Sequence, residues 1–222
     1  MTTTFTIPAS TLARIATVCL PHVGKDELFP VLCCVRLFER DGHLYGEATD
    51  RYTIGACRTE TVAPEGLDVM IHRDDLRAAL AAFRAQRRST VVLRLAVSEE
   101  TLTFSLADGL LANGVDLTFA VKRREGVFPA ASWLYVKPAS AAPVASAPYL
   151  DAKCLRRLPD GPAQFGVTEE GVKPVAFYGE DWAAALMALR PGADLSASWV
   201  ATPDEPTASA INRLDALGGE GK

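Results

Sequence analysis

Long apolar runs are missing from this chain: no stretch of about eighteen apolar residues occurs, so no segment is fit to cross a membrane as a helix. The opening Met-Thr-Thr-Thr-Phe-Thr-Ile has neither a basic stretch nor an apolar core, which argues against a secretory signal and makes the cytoplasm the expected compartment. Enzyme signatures are also missing. There is no Gly-x-Ser-x-Gly elbow, no Walker loop, no Cys-x-x-Cys pair and no His-Glu-x-x-His helix, so no catalytic residue, cofactor or metal is expected. Histidine is scarce, and His22, His43 and His72 fall in different segments, as surface or structural residues do. The five cysteines, Cys19, Cys33, Cys34, Cys57 and Cys154, are odd in number and mostly inside apolar segments, which fits buried reduced thiols rather than a disulfide framework. Neighbours on a strand, Cys33 and Cys34 should face opposite sides and not share a metal. No excess of positive charge exists either. The net charge of -4 gives no global attraction to nucleic acid, so any DNA contact must come from a local patch.

What is present is enough apolar content, 49% of 222 residues, to bury a core of one or two domains without metal or disulfide support. One pattern recurs three times: a short apolar strand, an amphipathic helix, then three strands. In the first unit Phe5-Thr6-Ile7 precedes Pro8, and Ser10 or Thr11 can cap a helix with Leu12, Ile15, Ala16 and Cys19 on one face. That helix should stop at Leu20, because Pro21 disfavours a helical residue before it. Strands are expected over about 31 to 38, 44 to 49 and 52 to 58, the first two joined by the hairpin signal Asp41-Gly42.

In the second unit Asp68-Val69-Met70-Ile71 is the short strand. Asp74 and Asp75 open a helix with Leu76, Leu80 and Phe83 on one face, and Arg84, Arg87 and Arg88 close it in accord with the helix dipole. Strands follow at about 90 to 97, 101 to 106 and 117 to 122, the middle one alternating Leu102, Phe104 and Leu106 with Thr101, Thr103 and Ser105. Residues 137–147 have linker composition. The third unit should place its short strand near Tyr149-Leu150, a helix over about 151 to 157, and strands near 163 to 167, 173 to 178 and 183 to 190. Taken alone, the run from Asp181 through Trp182 to Arg190 before Pro191 looks helical. The repeat requires a strand there, and the repeat is preferred because tertiary context overrides propensity. The expected organisation is a complete domain over 1–136, a linker over 137–147, a partial domain over 148–191 and a mobile tail over 192–222, rich in Ala, Gly, Ser, Pro and acidic residues.

Phe5-Thr6-Ile7-Pro8 with Leu12, then Ala48-Thr49-Asp50, then Phe119 to Val127 followed by Phe128-Pro129, stand in the order and spacing found in the bacterial DNA polymerase III beta sliding clamp. Residues 4–136 resemble its middle domain. Residues 148–191 resemble the second half of its last domain, with Leu186-Met187-Ala188-Leu189-Arg190 where that family ends in Met-Pro-Met-Arg. The resemblance implies an α+β sliding-clamp fold, with two helices against two curved antiparallel sheets in each domain. It departs from the family in that no first domain and no first half of the last domain are matched, which puts the family's usual ring closure in question.

Two sites follow from the resemblance. The family captures short peptides of polymerase and repair proteins in a hydrophobic pocket. The matching positions are Thr49, Arg51, Tyr52, Thr53, Ile54, Pro129, Trp133, Leu134, Leu186, Met187, Leu189 and Arg190, whose apolar and aromatic character suits Leu and Phe anchors. The plain alternative is that they pack the junction between two sheets. Clamp helices also present cations to the phosphate backbone of double-stranded DNA, and the counterparts here are Arg14, Arg77, Arg84, Arg87, Arg88, Lys153, Arg156 and Arg157, for which ordinary solvated charge is the alternative. Asp50 fits a turn-stabilising carboxylate better than a catalytic acid. The implied function is a replication processivity factor, possible as a homo-oligomer. Its rival is a non-encircling module that recruits or sequesters clamp-binding proteins through the same pocket.

Overall fold

The apolar i, i+3, i+4, i+7 face of the first helix and the alternation of the strands converge on one core. The computed structural model describes residues 2–83, 91–107, 117–129, 150–161, 163–167 (backbone only for 164–167) and 174–187, all within the unit Met1–Leu189. The first sequence unit forms β1 (Thr3–Pro8), α1 (Ala9–Cys19), β2 (Cys34–Arg40), β3 (His43–Thr49) and β4 (Thr53–Val62). The second forms β5 (Asp68–His72), α2 (Arg73–Ala82), β6 (Val92–Val97), β7 (Thr101–Leu106) and β8 (Thr118–Lys122). The third forms α3 (Ala152–Leu155), β9 (Gln164–Val167), β10 (Val175–Tyr178) and β11 (Trp182–Leu186).

The first two units exchange their leading strands. β1 pairs with β6 in the sheet β1-β6-β7-β8, whereas β5 pairs with β2 in the sheet β5-β2-β3-β4-β11-β10-β9. Neither unit can therefore complete its sheet alone. Leu12, Ile15, Leu76 and Phe83 of the helical segments meet Leu37, Leu44, Leu93, Leu95 and Phe104 of the two sheets in the main cluster of buried residues. Helix α1 lies so close to the sheet that a Cβ on Gly46 would come 2.3 Å from Ile15 Cγ2, which is why β3 carries glycine there.

The third unit adds its strands to the first. β11 runs antiparallel to β4 with Leu186 opposite Thr53 and Trp182 opposite Cys57, so the sheet is continuous across the seam. The helical propensity of Trp182–Leu186 is overridden because its backbone is hydrogen-bonded to β4 on one side and β10 on the other. Trp182 and Ala184 join the main cluster, while Ala185 packs with Ala56 and Ala176.

Several local expectations are corrected. Helix α1 starts at Ala9 with Pro8 as its cap residue, so neither Ser10 nor Thr11 caps it, and a 3₁₀ turn (Leu20–His22) prolongs it past Leu20. Residues 31 to 33 belong to a second 3₁₀ turn (Pro30–Cys33) rather than to a strand, since Pro30 fixes a helical φ at its start. Cys33 and Cys34 are thus not strand neighbours: the Cys33 thiol donates to the Asp26 carbonyl and the Cys34 thiol to that of Pro30. Helix α3 is shorter than expected, and Leu150 is not in a strand. Among the described residues no helix is long and apolar enough to cross a membrane. Tyr149, the linker 137–147 and the tail 192–222 lie outside the described residues.

Candidate functional site

Asp50 organises the turn that ends β3 and starts β4. Its carboxylate accepts hydrogen bonds from the Tyr52 N–H at 3.0 Å, the Thr53 N–H at 2.8 Å and the Thr53 hydroxyl at 3.0 Å, the pattern of an Asx turn. Arg157, beyond α3, donates to the same carboxylate and to Thr53 Oγ1, tying the third unit to this turn. Burial pushes the Asp50 pKa up, but the hydrogen bonds from Arg157 and the turn outweigh it and hold the carboxyl below its ordinary value. Thr49 donates its hydroxyl to the Thr53 carbonyl at 2.8 Å. Thr49 and Thr53 are both buried and spend their hydroxyls on the turn.

What the turn presents outward is Arg51 and Tyr52. Arg51 has φ 79, a left-handed conformation costing on the order of 1–2 kcal/mol for a non-glycine residue. Its guanidinium stacks over the Phe29 ring at 4.2 Å. Tyr52 is 64% exposed, and its carbonyl accepts from the Met187 N–H at 2.8 Å, which carries the seam one residue past β11. Met187 is 37% exposed. Beside this turn lies a groove of about 820 Å³ whose apolar lining comes from Leu20, Val23, Phe29, Leu32 and Tyr52. Its polar lining mixes both signs, with Lys25, Arg51, Arg73, Arg77 and Arg157 against Asp26, Asp50 and Asp74.

The structure thus brings Arg51, Tyr52 and Met187 together at one end of the β4–β11 seam. It does not bring Leu186 and Ile54 there: Leu186 is fully buried opposite Thr53, and Ile54 packs with Ala56, Ala176 and Ala185. Pro129 is exposed beside Phe128, which is buried with Cys34 and Met70 and packed against by Val31. Trp133, Leu134, Leu189 and Arg190 lie outside the described residues. The sequence reading missed Phe29 and Leu32. The available signal was the pair Leu28-Phe29 between polar Asp26-Glu27 and Pro30, too apolar for an ordinary solvated loop.

The candidate DNA-contacting cations divide. Arg14 forms a two-pronged pair with Asp181, Nε to Oδ2 at 2.7 Å and Nη2 to Oδ1 at 2.5 Å, and the hydrogen bond raises the Arg14 pKa and lowers that of Asp181. Arg77 pairs with Asp74 at 2.9 Å, and Arg157 with Asp50. Lys153 and Arg156 are exposed, and among the described residues neither has a carboxylate partner. Arg84, Arg87 and Arg88 lie outside the described residues.

Buried polar chemistry is sparse. The thiols of Cys34 and Cys57 are pushed by burial up to about 11 and about 12, which keeps them protonated and unreactive. His22 is fully buried between the end of α1 and β4, and among the described residues neither ring nitrogen has a hydrogen-bond partner. Burial, and then the Arg157 charge, lowers its pKa to about 4.

No family model matches the sequence, and no curated protein is similar to it. Solved structures are similar in fold. DNA polymerase III beta subunit from Thermotoga maritima superposes with TM-score 0.67 at 10% identity, over 85% of this chain and 65% of that one. The sliding clamp from Bartonella birtlesii bound to griselimycin gives TM-score 0.65 at 14% identity, over 85% of this chain and 66% of that one. The beta subunit from Borrelia burgdorferi, in complex with a natural product, gives TM-score 0.61 at 8% identity, over 86% of this chain and 65% of that one. The fold is the sliding-clamp fold, and the chain spans about 65% of the length of these structures.

Proposed function

We propose that this chain is a sliding-clamp-fold platform for the DNA replication and repair machinery, capturing linear peptide motifs of polymerase and repair proteins in the groove beside Tyr52. The observation that carries this reading is the groove itself. Exposed Tyr52 lies with Phe29 and Leu32 in its lining, the cationic Arg51 stands at the rim, and exposed Met187 follows on the seam, its N–H bonded to the Tyr52 carbonyl. Apolar patches within a charged groove, with an adaptable Met on the adjoining seam, suit Leu and Phe anchors of an extended segment. The test is calorimetry with a peptide of the Gln-x-x-Leu-Phe type. Micromolar binding is expected, weakened about tenfold or more by Tyr52→Ala combined with Met187→Ala; absence of heat at high peptide concentration refutes the reading.

The non-encircling form of this function is favoured over a DNA-encircling processivity factor by one observation. Of the described candidate cations, Arg14, Arg77 and Arg157 are already neutralised by carboxylates. Among the described candidates, weak, sequence-independent contact with double-stranded DNA then rests on Lys153 and Arg156. Light scattering with and without DNA separates the two forms: a closed assembly that retains DNA supports the processivity factor, and a species indifferent to DNA supports the recruiting module.

A further inference from the structure

Behind one wall of the groove, three side chains from three segments converge. Cys33 closes the second 3₁₀ turn, His72 ends β5, and Glu27 comes from the loop between the two 3₁₀ turns; their sulfur, nitrogen and oxygen atoms all lie within 4.8 Å of one another. The placement is fixed by the sheet, since Cys34 is the register partner of His72. His72 Nε2 is 3.4 Å from Glu27 Oε1, and Cys33 Sγ is 3.3 Å from the Asp26 carbonyl oxygen. Around a tetrahedral zinc ion, with bonds of about 2.0–2.3 Å, neighbouring donor atoms stand about 3.3–3.7 Å apart. The His72–Glu27 pair already has that spacing, and Cys33 Sγ, within 4.8 Å of both, has about 1 Å or less to close.

We propose that Glu27, Cys33 and His72 bind a zinc ion through Oε1, Sγ and Nε2, with the fourth position left to water or to the Asp26 carbonyl. The donor set of thiolate, imidazole and carboxylate is the one Zn²⁺ prefers. Burial is graded in the way such a site needs. Cys33 is 0% exposed, the His72 side chain 14% and the Glu27 side chain 61%, so the ion enters from the Glu27 side onto a desolvated thiol.

The surroundings supply the outer shell. Arg73 donates from Nη1 toward Cys33 Sγ at 3.5 Å and from Nη2 to Glu27 at 2.8 Å. In the metal-free protein it balances the carboxylate. With the ion bound it keeps its contact to the sulfur, now a thiolate. His72 Nδ1 accepts from the Asp74 N–H at 3.3 Å as the cap of α2, with Asp74 Oδ2 3.8 Å away, so ligation through Nε2 exchanges that cap bond for one from Nδ1–H to the Asp74 carboxylate, as in carboxylate–histidine–zinc arrangements. The step balances simply: Zn²⁺ replaces the thiol proton of Cys33, which leaves to solvent, and the imidazole shifts its proton from Nε2 to Nδ1. Occupancy would tie the loop carrying Phe29 to β5, but the assignment does not depend on the peptide reading.

The test uses the full chain, reduced and stripped of metal by a chelator, and titrates it with Co²⁺ and then Zn²⁺. One equivalent of Co²⁺ should give a sulfur-to-cobalt charge-transfer band with tetrahedral visible bands, and Zn²⁺ should displace it. Cys33→Ala should abolish the charge-transfer band, and Cys154→Ala should leave it intact. Because Cys33 is buried, surface-accessible Glu27→Gln serves as the second variant. It should fold as the parent does by circular dichroism and bind Zn²⁺ about tenfold or more weakly in chelator competition. A folded parent chain that binds neither ion stoichiometrically overturns the proposal. So does a charge-transfer band that survives Cys33→Ala, or an affinity unchanged by Glu27→Gln.

Discussion

Among the described residues, His22 is the buried side chain whose polar atoms lack a partner. It is buried at 0% exposure beside Gly55, where an added Cβ would come 2.3 Å from the ring. Its pKa falls from the ordinary 6.5 to about 4, so between those values the unfolded chain binds a proton that the folded chain does not. Stability from this group is therefore whole above pH 6.5 and is lost as pH falls toward 4. At pH 5 the loss should be about 2 kcal/mol relative to pH 7, read as a lower urea midpoint. His22→Leu should remove most of that slope; a parent chain equally stable at pH 5 and pH 7 would contradict the assignment. Gly55→Ala acts on the same contact from the other side and should cost about 1–3 kcal/mol in urea unfolding, because the ring has no room to retreat.

At the scale of elements, the strands and helices of the first two units were legible because their periodicities are unmixed. Leu102, Phe104 and Leu106 alternate with polar residues, and Leu12, Ile15, Ala16 and Cys19 recur at helical spacing. Two elements were not legible from local pattern. The run Val31-Leu32-Cys33 is apolar enough for a strand, yet a turn initiated by Pro30 claims it. The run Trp182–Leu186 is rich in Ala and reads as a helix, and only the repeat pointed to a strand. The groove was half legible for a related reason: Arg51 and Tyr52 follow a recognisable Ala-Thr-Asp turn, whereas Phe29 and Leu32 reach the site through a 3₁₀ turn that carries no period. Because β11 is an inner strand between β4 and β10, proline cannot be accommodated in it. Ala184→Pro should release the third unit as a whole. Limited proteolysis should then cut within 150–187 while β1 to β8 resist; a variant as resistant as the parent throughout would contradict the β4–β11 seam.

At the scale of the molecule, strand exchange makes the first two units one inseparable domain, and the seam makes the third an extension of its sheet. Arg14–Asp181 clasps one end of that seam, with side chains 38% and 39% exposed, and Arg157–Asp50 clasps the other. The first pair, half in solvent, contributes on the order of 0–1 kcal/mol, so β4–β11 backbone pairing is the larger tie. The groove beside Tyr52 accordingly draws its lining from all three units, Phe29 and Tyr52 from the first, Arg77 from the second and Arg157 from the third.

The most direct test of that account is photo-crosslinking of a Gln-x-x-Leu-Phe type peptide, with a benzophenone in place of the Phe ring, to the full chain, followed by mass-spectrometric mapping. The account predicts adducts at Phe29, Leu32, Tyr52 or Met187, suppressed by excess unlabelled peptide. Competed adducts confined to other surfaces, such as the edge strand β8, would contradict it.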